Sequence, residues 1–420
     1  MVTIVITVLL TLFVTMLVAN FRTPEKEVEH KVERLFGMAD PQFKREMGTL
    51  LGPAIIGGNQ IAALHNGAAI FPAMLDAIAQ ARRTITFETY IYWDGIVGKQ
   101  FAHALMERAR AGVKVHVMLD WLGSAKIDTR LLQDMRDAGV QIERYHPLRW
   151  YSLGRINNRT HRKVLVVDGA IGFTGGVGIA DQWSGDAQDE DHWRDMHFRV
   201  DGPVVAQVQA AFLDNWIKTT GSTLHGADYF PELRPCGEDD MHLFVSSPAG
   251  GSASMRLMYL SAIAAATTSI DIEAAYFVPD ALMSEALVAA SRRGVKVRVL
   301  LPGRHIDSTS VRIASKRSWG PLLQCGVTVH EYTPTMFHCK MLIFDRCMVS
   351  VGSTNFDMRS FELNDEASLN VYAASFADEM TGVFESDLKL STPYTFEMWQ
   401  RRSIRERISE LIVLPFKSQL

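Results

Sequence analysis

The chain has 420 residues, of which 47% are hydrophobic and 21% charged, with a formal net charge of −4. That length and apolar content can fill two packed cores and exclude wholesale disorder. The acidic balance argues against a nucleic-acid binder, which needs a basic excess to neutralise phosphates. The four cysteines, Cys236, Cys325, Cys339 and Cys347, form neither a CxxC pair nor a disulfide framework.

Residues 1–21 carry no charge and are dominated by Val, Ile, Leu, Phe and Met. They predict a helix, and ~20 residues span the ~30 Å hydrocarbon core of a bilayer. No basic segment precedes the run, so it reads as a retained anchor and not a cleaved signal. Arg22, Lys26, Lys31 and Arg34 behind it favour a cytoplasmic body. Residues 22–50 are charge-rich and predict a helical stalk. An internal repeat follows. Thr84–Glu88 (TITFE) reads like Ser269–Glu273 (SIDIE), and Gly112–Leu119 like Gly294–Leu301. His161, Lys163 and Asp168 then recur in order as His338, Lys340 and Asp345. Each half alternates helix and apolar strand, which predicts an α/β layer with helices covering a largely buried sheet. The halves are placed at 51–232 and 240–395, divided by a Pro- and acid-rich stretch at 231–240, with one site at their seam. Residues 396–420 predict an amphipathic helix that either docks on the second half or lies in a membrane interface.

Asp168-Gly169 is a strong two-residue turn signal, so His161 to Gly176 predicts a hairpin in which His161 faces Gly176. The same reasoning sets His338 opposite Ser353. Within each copy the histidine and lysine share one strand face, and because lysine is among the residues least often buried, a His–Lys pair at i,i+2 repeated in both halves has no obvious packing role. His161, Lys163, His338 and Lys340 are therefore candidate catalytic residues. Parity puts Cys339 on the core side; Asp168 and Asp345 have opposite parity to the histidines and sit in the expected turns, where a turn-holding role stands beside a catalytic one. The acidic loop Asp186–Asp195 lacks a fixed ligand spacing, so no metal is assigned.

The repeated His-x-Lys-x4-Asp, followed by Gly-Ser-x-Asn or a variant, resembles the signature of the phospholipase D superfamily. The likeness covers about residues 60–395. Within that superfamily, HRKVLVVDGAIGFTGG, HWRDMHFRVDGPVV and SFELNDE are most similar to the bacterial cardiolipin synthases. The resemblance implies a metal- and cofactor-independent phosphatidyl transfer through a phosphohistidine. His161 is then the nucleophile and His338 the acid/base by analogy, Lys163 and Lys340 neutralise the phosphoryl oxygens, and Asp168 and Asp345 belong to the catalytic motif. Asp195 and Glu366 are expected to orient the histidines, and Gly176, Ser353 and Asn355 to support the phosphate. Gly178 departs from the family, which carries asparagine there, and an asparagine is expected to fit. The implied substrate is phosphatidylglycerol and the product cardiolipin, at a bacterial inner membrane with no nucleic-acid partner. A hydrolase releasing phosphatidic acid, a nuclease and a silent lipid-binding scaffold are the alternatives.

Overall fold

The computed structural model describes residues 2–20, 30–147, 157–247 and 253–413. Within them, one mixed sheet carries the repeat. In the first half, strands Thr84–Thr89, Lys114–Asp120 and Gln141–Tyr145 run parallel. The antiparallel strands Val164–Val167, Ile171–Gly175, Met196–Asp201 and Ile56–His65 continue the sheet. The second half repeats that order around Ser269–Ala274, Lys296–Pro302 and Thr328–Tyr332. The halves join where Ile56–His65 pairs with Asp239–Ser246.

These strands are nearly continuous apolar runs because both faces are covered. Ile85, Phe87, Val115 and Val117 pack under the outer helices Asn66–Gln80 and Ile96–Arg110. Ile270, Ile272, Val297 and Val299 do the same in the second half. A third core joins the halves, with Val164, Val166 and Phe198 from one and Met341, Val351 and Leu369 from the other. Cys339 lies in that core, fully buried, on the side that strand parity indicates.

The hairpins differ from expectation by one residue. Val167 pairs with Ile171 and Val164 with Thr174, so Ala170 joins Asp168 and Gly169 in the turn. The second hairpin pairs Phe344 with Met348 in the same way. Regular pairing begins only at Val164 and Lys340, so His161 does not face Gly176, nor His338 Ser353.

The termini also differ. Val2–Asn20 is helical, with Ile4, Leu9 and Leu12 among its exposed side chains. Among the described residues, however, no helix is long and apolar enough to cross a membrane. Residues 21–29 of the expected stalk lie outside the described residues. The remainder is not a free helix: residues 30–40 are irregular and only Pro41–Leu50 is helical. Met38, Phe43 and Met47 pack into the second half's core, and that burial outweighs the charged residues around them. The tail forms two helices, Phe396–Gln400 and Ile404–Val413, with residues 414–420 outside the described region. A capping box starts the second helix. Ser403 N–H donates to Glu406 (2.9 Å) and Glu406 N–H to Ser403 Oγ (3.2 Å). The pair docks on helix Thr309–Gln324 through Trp399 Nε1–H, which donates to the Lys316 carbonyl, and leaves Ile404, Ile408, Leu411 and Ile412 exposed.

Candidate active site

The two motifs are docked across the seam by their own backbones. Arg159–Thr160, just before His161, pairs parallel with Asn364–Asp365 of the second half, and His161 N–H donates to the Asp365 carbonyl (2.9 Å). In return, His338 N–H donates to the Arg194 carbonyl (2.8 Å) and Arg194 N–H to the Met336 carbonyl (2.9 Å). Each histidine therefore lies beside the opposite half's acidic residue. His161 Nδ1 is 2.9 and 3.0 Å from the two oxygens of Glu366. His338 Nδ1 is 2.7 Å from Asp195 Oδ2. With Nδ1–H committed to a carboxylate, Nε2 is the atom of each ring left for chemistry, as a lone pair on a neutral ring or as an N–H on a protonated one.

His161, Lys163, His338 and Asn355 line one cavity of about 130 Å³ together with Tyr90, Arg159, Trp183, Trp193, Tyr276 and Asp307. Burial draws the His161 imidazole down to about 4, although Glu366 opposes it. Burial and the Lys340 charge also lower His338. Burial thus leaves His161 a neutral base at neutral pH, while at His338 the Asp195 carboxylate acts against burial and favours the imidazolium form. Burial and then the Lys340 charge pull the Lys163 ammonium down to about 7, and burial lowers Lys340 as well. Burial works to raise the two carboxylates, yet the imidazoles and lysines around them hold both below the usual range. Two buried cations that repel one another create a site that an anion relieves. Lys163 Nζ donates to the His161 carbonyl (2.9 Å) and Lys340 Nζ to the His338 carbonyl (2.7 Å), which fixes both lysines beside the rings.

The other predicted residues take different places. Asp168 accepts from the backbone N–H of Arg82, Arg83 and Thr84. Asp345 accepts from Thr267, Thr268 and Ser269. Each pins its hairpin turn to the start of a central strand, and neither lines the cavity. Gly176 makes no contact opposite His161; a Cβ there would run into the Asp195 carboxylate. Ser353 Oγ donates to Glu366 Oε2 (2.5 Å), so its hydroxyl serves the carboxylate. Asn355 does face the cavity, and its buried Oδ1 has no hydrogen-bond partner among the described residues. At Gly178 a Cβ would lie 2.9 Å from Ile91 Cβ and 3.2 Å from the Trp183 ring, so the expected asparagine does not fit.

In the acidic loop, Asp189 is bound to His192 (2.6 Å) at the surface. Among the described residues, Glu273, Cys339 and Asp387 are near enough to share a cation. Arg194 donates to both oxygens of Asp387, and its charge also acts on Glu273 and Cys339. Sequence reasoning did not find Tyr90, Tyr276, Trp183, Trp193 or Asp307. The two tyrosines had a signal: each follows, within two residues, one of the equivalent central strands Thr84–Thr89 and Ser269–Ala274, and ligands bind beyond the carboxyl ends of such strands.

A doubled α/β fold with two carboxylate-oriented histidines and two buried lysines around one cavity defines a phospholipase D-like protein. The family model described as "Cardiolipin synthase, PLD-like domain" matches residues 74–216 and 259–388, and the chain belongs to that family. It is 35% identical over 357 residues to cardiolipin synthase 1 of Bacillus anthracis, covering 83% of this chain and 70% of that relative. It is 31% identical to the major cardiolipin synthase of Bacillus subtilis, covering 84% and 74%. Among solved structures, phosphatidylserine synthase of Haemophilus influenzae superposes with a TM-score of 0.70 at 12% identity, over 91% of this chain and all of that one. Polyphosphate kinase of Porphyromonas gingivalis gives 0.55 at 14% identity, over 86% and 53%. At those identities both show the fold alone.

Proposed function

We propose that the chain is a phosphatidyl transferase that joins two phosphatidylglycerols into cardiolipin and releases glycerol. The observation that carries this reading is the crossed pair of carboxylate-held histidines facing one cavity with two buried lysines. His161 Nε2 attacks the phosphorus of the donor lipid. The P–O bond to glycerol breaks, and the departing oxygen takes a proton from His338. His338, now neutral, removes the proton from a hydroxyl of the acceptor phosphatidylglycerol. That oxygen attacks the phosphorus, the P–N bond breaks, and His161 is regenerated. Lys163 and Lys340 stabilise the charge that builds on the phosphoryl oxygens, and Asn355 supplies a hydrogen bond there. Asp168 and Asp345 act at a distance, by fixing the hairpins that aim the histidines.

The two halves, 51–232 and 240–395, sit on a single-pass anchor at residues 1–21 in a bacterial inner membrane. Support comes from the sequence, in which residues 1–21 are uncharged and largely apolar, and from the apolar row left open on the tail helix. The test is lipid mass spectrometry after incubating the full chain with phosphatidylglycerol micelles in excess EDTA. Cardiolipin plus glycerol is expected. Phosphatidic acid would make the chain a hydrolase, and loss of turnover reversed by one added metal would overturn the metal-free mechanism.

A further inference from the structure

The two halves hold their carboxylates by different means. In the second half, Ser353 Oγ donates to Glu366 Oε2. In the first, the equivalent position is Gly176, which offers no hydroxyl and leaves its space to the Asp195 carboxylate. The donor on Asp195 Oδ2 comes from elsewhere: Trp183 Nε1–H, at 2.8 Å. The same oxygen receives His338 Nδ1 at 2.7 Å. Trp183 is 1% exposed, stands edge-on to the His338 ring (centroids 5.3 Å apart, 80° between planes), and lines the cavity. Its far edge covers Gly178, where a side chain would meet it at 3.2 Å. It ends a 3₁₀ turn whose Asp181 accepts from the N–H groups of Ile96 and Val97, so the indole is tied to the start of a helix.

We infer that Trp183 is a positioning residue that holds the Asp195–His338 pair in its proton-donating geometry, replacing in the first half what Ser353 does in the second. This rests on the proposed transfer reaction and deepens it. The glycines at 176 and 178 follow from this substitution: one makes room for the shorter carboxylate, the other for the indole that fixes it. A residue acting through the acid should matter most when the leaving oxygen needs a proton.

The experiment compares wild type, Trp183→Phe and the full chain carrying benzothienylalanine at 183, an indole isostere without the N–H. Each is given phosphatidylglycerol, whose leaving alkoxide needs protonation, and phosphatidyl-p-nitrophenol, whose leaving phenolate does not and whose first step is read alone as the pre-steady-state release of p-nitrophenolate, since this lipid brings no acceptor hydroxyl. The expected result is a kcat fall of at least about tenfold with the first lipid, part of the ~10²–10⁴ an acid/base supplies, little change with the second, and similar KM throughout. Equal falls on both lipids, or none from the isostere, would overturn the inference. Should wild type act on neither lipid, the proposed function fails, and NMR titration of His338 still decides the point. Without the indole donor, Asp195 concentrates its charge on the imidazole, so the midpoint should rise; an unmoved midpoint in a folded isostere variant would refute the role of Trp183.

Discussion

Replacing Glu366 with glutamine tests the crossing of the two halves. Glu366 is fully buried and accepts from His161 Nδ1 through both oxygens (2.9 and 3.0 Å), from Ser353 Oγ (2.5 Å) and from Asn364 Nδ2 (3.3 Å). Glutamine keeps the shape but removes the charge and turns one acceptor into a donor. That donor must then face either Ser353 Oγ or the His161 ring. A hydrogen bond to a charged group contributes about 1.5–3 kcal/mol, equivalent to roughly 10- to 100-fold in rate if it acts in the transition state. Removing one partner of a buried pair also costs about 3–5 kcal/mol of stability, and Lys163 is left with less compensation. The assay is kcat on micellar phosphatidylglycerol, with thermal unfolding to confirm the fold. The expected result is a fall of at least about tenfold in kcat with KM little changed, together with a lower melting temperature. Activity within twofold of wild type would mean that the second half's carboxylate does not prepare the first half's histidine.

Three further outcomes follow from the same geometry. Asp345→Ala removes the acceptor of three backbone N–H groups and two threonine hydroxyls; it should cost about 2–4 kcal/mol in urea unfolding while the folded fraction keeps near-normal kcat, and a collapse of kcat at unchanged stability would restore a catalytic role. Gly178→Asn should overpack the Ile91–Trp183 contact, costing about 1–3 kcal/mol and lowering activity, as measured by melting and turnover together. The His161 pKa is lowered to about 4 by burial, so between pH 4 and 6.5 the unfolded chain binds more protons there than the folded one. Its contribution is complete above 6.5 and lost as pH falls through 4, about 3 kcal/mol in all. Urea unfolding of His161→Gln across that window should show a correspondingly flatter pH dependence.

The chemistry was legible because the chain states it twice. A His–Lys pair recurring in order had no packing explanation, and the structure puts His161, Lys163 and His338 at one cavity, with Lys340 beside His338. The crossing was not legible. His161 meets a carboxylate 205 residues away and His338 one 143 residues away, a distance that local periodicity does not reach. The hairpin register failed by one residue because Ala170 was absorbed into the turn, and His161 proved to lie outside the ladder altogether. The turn signal did place Asp168 and Asp345 correctly in the turns. Charge density misread residues 30–50, where a few apolar side chains, Met38, Phe43 and Met47, decide the packing. Trp183 gave no motif signal, since nothing at its position repeats. Its mark was indirect, in the two glycines that replace the second half's serine and asparagine.

The most direct test of the central claim is a search for the covalent intermediate. The full chain is mixed with phosphatidylglycerol, stopped within one turnover in neutral denaturant, digested, and its peptides weighed. The account predicts a phosphatidyl group on the peptide containing His161, absent from His161→Asn. Continued formation of cardiolipin by His161→Asn, with no lipid adduct on either histidine, would contradict it.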